Sequence, residues 1–193
     1  MSKVSCSPLM GSLIWCEGKP VYPGIRRRLY YTAKSNITKW PTLPVDEFGR
    51  PTSSVLQGSF EMAADKVFHY IDVLAEKSGI TSEPQGEAPS QTQLNKLVAV
   101  HPGVDEQATM ASAYFNNSDV VVLVQDMNGK YRMLGNEKWQ GKATVNQDLG
   151  QGSTGNANTT INVEHTDLIA APFYEGIIPT EDGDINEPVA EGE

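Results

Sequence analysis

Residues 116–135 read NNSDVVVLVQDMNGKYRMLG, and this stretch decides the fold. Its first half contains five consecutive apolar residues, 120–124. Because neighbouring side chains of a strand point to opposite faces, such a strand is apolar on both faces and must be covered on both. Asn128 and Gly129 follow, a strong hairpin signal because both residues accept a positive φ. The stretch therefore predicts the central hairpin of a β-sandwich or barrel-like domain.

A helix is predicted over residues 105–116, directly before this hairpin. Asp105 suits the N-cap, because its carboxylate can accept a hydrogen bond from the first turn. Apolar side chains at helical spacing form one face of the helix: Ala108, Ala111 and Phe115, with Tyr114 beside them. We expect an opposing sheet to cover one face of the apolar strand and this helix to cover the other.

Further strands are predicted along the rest of the chain. Residues 24–33 (GIRRRLYYTA), 94–103 (LNKLVAVHPG) and 159–168 (TTINVEHTDL) have the composition or alternation of strands. Residues 66–76 (KVFHYIDVLAE) fit both strand and helix spacing, and their β-branched and aromatic content favours a strand. The sequence thus predicts a mainly β fold over residues 24–180, a β-sandwich or barrel-like domain with one flanking α-helix.

Three segments differ in composition from this domain. Residues 1–23 are rich in Gly, Ser and Pro and are predicted to form an N-terminal arm, and residues 181–193, with six acidic and no basic residues, an acidic C-terminal tail. Residues 35–54 contain three prolines and are predicted to form a long loop. The large apolar residues of this loop are Ile37, Trp40, Leu43, Val45 and Phe48. They suit either packing over the loop's own domain or docking on another subunit.

Charge is unevenly distributed along the chain. The formal net charge is -9, which disfavours a general nucleic-acid binder, because phosphate contacts need clustered Lys and Arg. Residues 1–50 carry eight basic and three acidic side chains, whereas residues 151–193 carry nine acidic and no basic ones. This gradient fits two interpretations: complementary faces that stack copies of the chain, or a solvated acidic tail and one basic loop.

The sequence offers no evident catalytic or metal-binding constellation. The three histidines, His69, His101 and His165, fall on separate predicted elements, and Cys6 and Cys16 form no CxxC pair. We expect both cysteines to be free thiols. We also expect no enzymatic activity, no cofactor, no metal, no signal peptide and no membrane-spanning segment.

A basic cluster lies on the first predicted strand. Arg26, Arg27 and Arg28 stand beside Tyr30 and Tyr31. Basic residues next to aromatic ones can form a nucleic-acid patch. Because the rest of the chain is acidic, a subunit contact or a solvated rim is the preferred interpretation.

The chain resembles the major tail proteins, or tail tube proteins, of tailed bacteriophages, in particular those of phages that infect Bacteroides-type bacteria. The resemblance covers residues 24–177. It rests on GIRRRLYYTAKSNITKWPTLP, LQGSFEMAADKVFHYIDVLAEKSG, HPG before the predicted helix, NNSDVVVLVQDMNGKYRMLGNE and APFYEG. These are patterns of order and spacing, not catalytic signatures.

The resemblance implies a structural protein of the virion, synthesised in the host cytoplasm, whose hexameric rings stack into a hollow tube for DNA passage. In such tubes one sheet of each subunit joins a continuous inner β-barrel. Residues 35–54 would be the inter-ring loop, with Trp40, Leu43 and Phe48 as its anchors. Arg26, Arg27 and Arg28 would pair with acidic groups on a neighbour. The implied partners are copies of the chain, the tape measure, tail terminator and baseplate or hub proteins, and passing DNA, with no membrane. The acidic C-terminus has no counterpart in this pattern.

Two alternatives remain open at this point. A neck connector or tail-terminator protein would form a single ring without stacking. A monomeric β-sandwich that binds carbohydrate or a host surface would need an exposed aromatic platform, for which Trp40, Trp139 and Tyr131 are the candidates.

Overall fold

The computed structural model describes residues 11–186. Fourteen strands and one α-helix form the regular structure of these residues. The strands, in chain order, are β1 (Ile25–Ala33), β2 (Ile37–Lys39), β3 (Val55–Leu56), β4 (Glu61–Met62), β5 (His69–Asp72), β6 (Gly79–Gln85), β7 (Thr92–Pro102), β8 (Val120–Asp126), β9 (Tyr131–Leu134), β10 (Lys142–Asp148), β11 (Asn158–Asp167), β12 (Phe173–Tyr174), β13 (Ile178–Thr180) and β14 (Gly183–Ile185). The helix, α1 (Glu106–Phe115), lies between β7 and β8.

Two sheets make up the body of the fold. The larger has six strands in the order β3-β12-β9-β8-β1-β5, and the smaller has four in the order β10-β11-β7-β6. Strands β3 and β12 pair in parallel, and the other neighbours in these sheets are antiparallel. Two small antiparallel pairs, β2–β4 and β13–β14, complete the structure. The predicted mainly β fold with one α-helix is confirmed.

The two sheets pack face to face around the first core cluster. Leu29 and Val122 enter it from the six-stranded sheet, and Leu97 and Val163 enter it from the four-stranded sheet. Burial alternates strictly along β11, as expected for a strand with one face in the core. Burying each such side chain fully contributes about 1.5–3 kcal/mol, so this layer holds the sheets together.

Strand β8 is buried on both faces, as predicted, but α1 does not cover the second face. Val121 and Leu123 face a second core cluster, formed with irregular chain and short strands: Phe60, Phe68, Tyr174 and Ile178. Phe115 of α1 lies in the first core cluster, between the sheets. The expected position of the helix is therefore wrong. Since Phe115 points into the space between the sheets, α1 closes a side of the sandwich. The second face of β8 is covered by chain that is not helical.

Strands β8 and β9 form the predicted central hairpin. The Asp126 N–H donates to the Lys130 carbonyl (2.8 Å), which leaves three loop residues, 127–129. Among these residues a positive φ occurs at Gly129, at +88°, and not at Asn128. Asn128 does not adopt the positive φ that it can accept, because a three-residue hairpin loop needs a left-handed residue only at its last position.

Helix α1 has the predicted boundaries, counting its caps. The Asp105 carboxylate accepts a hydrogen bond from the Ala108 N–H (2.8 Å), which satisfies one free donor of the first turn. The helix ends at Phe115, and Asn117 takes the left-handed conformation with φ of +64°. Tyr114, expected beside the apolar face, is 55% exposed.

The ambiguous segment 66–76 contains a strand and no helical turn before residue 75. Its strand β5 pairs with β1 and places Tyr70 opposite Tyr30. The preference for a strand is therefore confirmed. Half-buried β-branched and aromatic side chains fit a pleated sheet better than a helix, which explains why composition decided correctly here.

The chain ends differ from the predicted arm and tail in part. Residues 11–23 contain no strand or helix and are exposed along their length, and Cys16 is a free, exposed thiol. Residues 1–10, with Cys6, lie outside the described residues. At the other end, β14 pairs with β13, so ordered structure continues past residue 180 into the predicted tail. Residues 187–193 also lie outside the described residues.

A buried histidine sits on the inner face of β11. His165 is 1% exposed, and its Nε2 donates to the Val120 carbonyl (2.6 Å), while Nδ1 is buried without a partner in the described chain. Burial lowers the pKa of His165 below its ordinary value, since the charged ring would lose its water. Gly141 lies against the ring, and a Cβ there would come within 1.9 Å of the His165 Cε1.

We expect the free energy of unfolding to fall as the pH drops below about 6.5, the ordinary pKa of histidine. The unfolded chain takes up a proton on His165 there, whereas the folded chain resists it until the pH reaches the lowered folded pKa. Urea unfolding at pH 7.5 and pH 5.5 measures this loss. The variant His165→Gln keeps a donor for the Val120 carbonyl and removes the titration, so its loss should be smaller. Equal losses in both proteins would contradict this account.

Candidate functional site

The outer face of the four-stranded sheet is polar and open to solvent. It presents alternate residues that are exposed or half-buried: Thr81, Glu83, Lys96, Val98, Lys142, Thr144, Asn146, Thr160, Asn162 and Glu164. Lys142, Glu164 and Lys96 stand opposite one another across three strands, so their charges alternate. The Lys96 ammonium also forms an ion pair with Glu83. The face therefore carries both signs of charge among uncharged polar groups, with the apolar Val98 exposed between them.

This sheet has two free edges of equal length. Strands β6 and β10, with seven residues each, are its outermost strands, and within the described residues neither pairs with a further strand. The Val145 N–H points away from β11, since it donates to a side chain outside the sheet. Antiparallel pairing alternates, so residues 143, 145 and 147 of β10 direct their backbone groups outward. The same alternation, followed through β11 and β7, makes residues 80, 82 and 84 the outward ones of β6.

The connection between α1 and β8 lies along part of the β10 edge. The Asn116 Oδ1 accepts a hydrogen bond from the Val145 N–H (3.0 Å). The Asp119 Oδ1 accepts one from the Gly141 N–H (2.9 Å). A groove of about 560 Å³ runs between residues 116–118 and residues 140–144. The edge is thus open to solvent in this groove and held by side chains at two points.

The three arginines of β1 have different environments. Arg28 pairs with Asp72 of the same chain through two contacts of 2.7 and 3.1 Å, and its guanidinium lies 3.8 Å from the centre of the Tyr70 ring. The register of β1 and β5 sets Arg28 directly opposite Asp72. The structure therefore gives Arg28 an acidic partner within the subunit. Arg26 and Arg27 are exposed, and no ion pair within the described residues includes them.

The predicted anchors of loop 35–54 divide into two groups. Trp40 and Leu43 pack against the second core cluster, and the Trp40 ring meets Phe60 edge-on at 5.9 Å between centroids. Phe48 is 42% exposed at the loop tip, with the Arg50 guanidinium 5.3 Å from its ring centre. Loop packing over the domain thus accounts for the first two residues, and Phe48 stays available to a neighbour.

Two of the three aromatic residues considered as a carbohydrate platform, Tyr131 and Trp40, pack within the subunit. Tyr131 is 7% exposed and lies beside Tyr30, with ring centroids 6.2 Å apart, and Trp40 packs on Phe60. A different cavity of about 660 Å³ lies beside α1, with Tyr31, Tyr70 and Tyr114 in its lining. Its three tyrosines come from β1, β5 and α1, which are distant from one another in the sequence.

Two features of the sheet edges are not among the predictions made from the sequence. Pro84 marks β6 as an edge strand, because proline cannot donate to an inner ladder; that signal was readable in the sequence. Asn116 is predicted only as the last residue of the helix segment 105–116, and nothing in the sequence pairs it with Val145. Its contact with β10 depends on how the chain folds back.

Neither a metal-binding cluster nor a membrane-spanning helix is found in the described part of the chain. Residues 11–186 contain no group of three or more His, Cys, Asp or Glu side chains placed to hold a metal ion. Within the same residues no helix has the length and apolar character needed to cross a membrane. The surface features of the described residues include the sheet edges, the polar face, the loop tip, the N-terminal segment and the cavity beside α1.

We expect Trp40→Ala to lower the free energy of unfolding of the isolated subunit by about 1–3 kcal/mol, because it empties a site against the second core cluster. Phe48→Ala, a matched aromatic deletion in the same loop, should change it by less than about 0.5 kcal/mol. Thermal or urea unfolding of the monomer measures both. A stable Trp40→Ala monomer would show that the Trp40 contact with Phe60 does not stabilise the subunit.

Comparison with known proteins identifies no relative of this chain. No protein-family model matches it, and no curated protein and no solved structure matches it either. The surfaces described above are therefore interpreted from the chemistry and geometry of this chain.

Proposed function

We propose that this chain is a structural virion protein whose rings, hexameric by the family resemblance, stack into a phage tail tube through which DNA passes. The observation that carries the proposal is the four-stranded sheet, with two unpaired edges of seven residues and a polar outer face. Unpaired strand edges are templates for pairing with another chain, and a closed barrel removes them. The proposal also rests on the sequence resemblance to tail tube proteins.

Ring closure follows from repeating one contact between edges. Strand β6 of one copy would pair with β10 of the next, and each copy would then offer the same free edge onward. A head-to-tail contact of this kind gives a ring when its rotation closes. The four strands of each copy would join a continuous inner barrel, with the polar face of the sheet toward the lumen.

The chemistry of that face suits a channel for DNA. Its lysines, Lys96 and Lys142, alternate with acids, and threonine and asparagine fill much of the remainder. DNA is held by clusters of basic groups that release its counterions, and such a cluster is not found on this face of the described sheet. A passing duplex would meet mixed charge and hydrogen-bonding groups, which favours movement over retention.

Ring stacking needs a second set of contacts, for which two segments are suited. Residues 11–23 expose large apolar side chains that the subunit does not cover: Leu13, Ile14, Trp15, Val21 and Tyr22. The tip of loop 35–54 adds Val45 and Phe48, 50% and 42% exposed. Burial of these apolar side chains against a neighbouring ring would lower the free energy of the assembly.

Negative-stain electron microscopy of the concentrated protein tests the proposal. We expect hollow stacked rings, with fewer rings per stack for Phe48→Ala, whose monomer should remain as stable as the parent. Isolated rings that never stack would identify a connector or tail-terminator protein instead. Monomers at all salt and protein concentrations, also in the presence of preformed tube fragments, would overturn the proposal.

A further inference from the structure

We propose that β10 is the edge that receives a second copy of this chain, and that Asn116 keeps this edge closed in the free subunit. The inference rests on the proposed function above and adds a contact that controls when two copies can pair. The entering partner would be the β6 edge of another copy. Release of the Asn116 side chain from Val145 would then be the step that admits it.

The Asn116 contact occupies the centre of the free edge. Residues 143, 145 and 147 direct their backbone groups outward, and the middle N–H of the three, that of Val145, is bound to the Asn116 Oδ1 at 3.0 Å. A pairing strand would lie about 4.7–4.9 Å from β10 and would place a carbonyl near the same N–H. The side chain and the incoming carbonyl therefore compete for one donor.

The groove beside Asn116 gives the incoming strand access to β10. Its volume of about 560 Å³ lies between residues 116–118 and residues 140–144, directly along the first half of β10. Residues 140, 142 and 117 are exposed, so the groove opens to solvent. An incoming strand can reach the ladder there before it displaces Asn116 at Val145.

Two side chains bind backbone N–H groups at this edge and differ in strength, while at its far end the Gln147 side chain donates to the Thr109 Oγ1 of α1 (3.3 Å). Asp119 is charged, and its carboxylate lies 3.6 Å from the Lys34 ammonium while it accepts from the Gly141 N–H. Asn116 is neutral, and its Oδ1 accepts the Val145 N–H without a charged group in the contact. Charge-assisted hydrogen bonds are about twice as strong as neutral ones. Asp119 thus anchors the connection, and Asn116 is the contact that can be exchanged.

The opposite edge has the complementary chemistry. Outward residues 80, 82 and 84 of β6 offer three carbonyls but only two N–H groups, because Pro84 has none. An edge with an excess of acceptors suits a partner with a donor to fill, such as the Val145 N–H once Asn116 has left. Both edges also resist unspecific pairing in the free subunit, one through Pro84 and the other through Asn116.

Assembly kinetics of Asn116→Ala and Asn116→Asp test the proposal. The alanine removes the acceptor, whereas the aspartate keeps it in the same position. We expect the lag of assembly, followed by light scattering, to shorten about fivefold for Asn116→Ala, the factor that one hydrogen bond of about 1 kcal/mol represents. Asn116→Asp should keep or lengthen the lag. Hydrogen exchange of the Val145 amide in the monomer should rise for Asn116→Ala and not for Asn116→Asp.

The outcomes separate this inference from the proposed function. Wild-type tubes with the same lag in Asn116→Ala, despite faster Val145 exchange, would overturn the inference and leave the tail-tube proposal standing. A wild-type protein that forms no rings would overturn both. If Asn116→Ala proves unstable, the lag of Asn116→Asp decides, and a shorter lag than that of the wild type would overturn the inference.

Discussion

Burial of strand β8 on both faces is the constraint on which the rest of the structure depends. Val122 enters the first core cluster, and Val121 and Leu123 enter the second. A strand covered on both sides cannot lie at the edge of a single-layer sheet, so β8 sits inside the six-stranded sheet with a layer on each face. One layer is the four-stranded sheet, and the other is the irregular chain around Phe60 and Tyr174.

This arrangement explains why the four-stranded sheet is free on its other side. Its inner residues face the first core cluster, and its outer residues meet solvent. The sheet is thus an outer layer with two exposed edges, a liability that proteins usually shorten, cover or close. Here the edges are long, and their covers are partial: a proline in β6, and on β10 the Asn116 and Asp119 side chains together with the neighbouring helix α1. Edges that are only partly covered fit the pairing between copies proposed above.

Loop 35–54 and the arginine cluster each contain residues that make contacts within the subunit and residues that are exposed. Trp40 contributes to the subunit's own packing, whereas Phe48, eight residues later, is left at the surface. Arg28 is satisfied within the subunit by Asp72, whereas Arg26 and Arg27 remain exposed. The proposed assembly would use both groups, with Trp40 and Arg28 stabilising the subunit and Phe48, Arg26 and Arg27 free to contact a neighbour.

The sequence by itself determined the mainly β class, the central hairpin, the capped helix and the strand at residues 66–76. These depend on local periodicity, capping and turn chemistry, which act over a few residues. Three features depend on the tertiary structure: non-helical chain covers the second face of β8, Arg28 meets Asp72, and Asn116 binds the Val145 N–H at the β10 edge. Each of these joins residues distant in the chain, and their pairing follows from strand order and register, which no local pattern specifies.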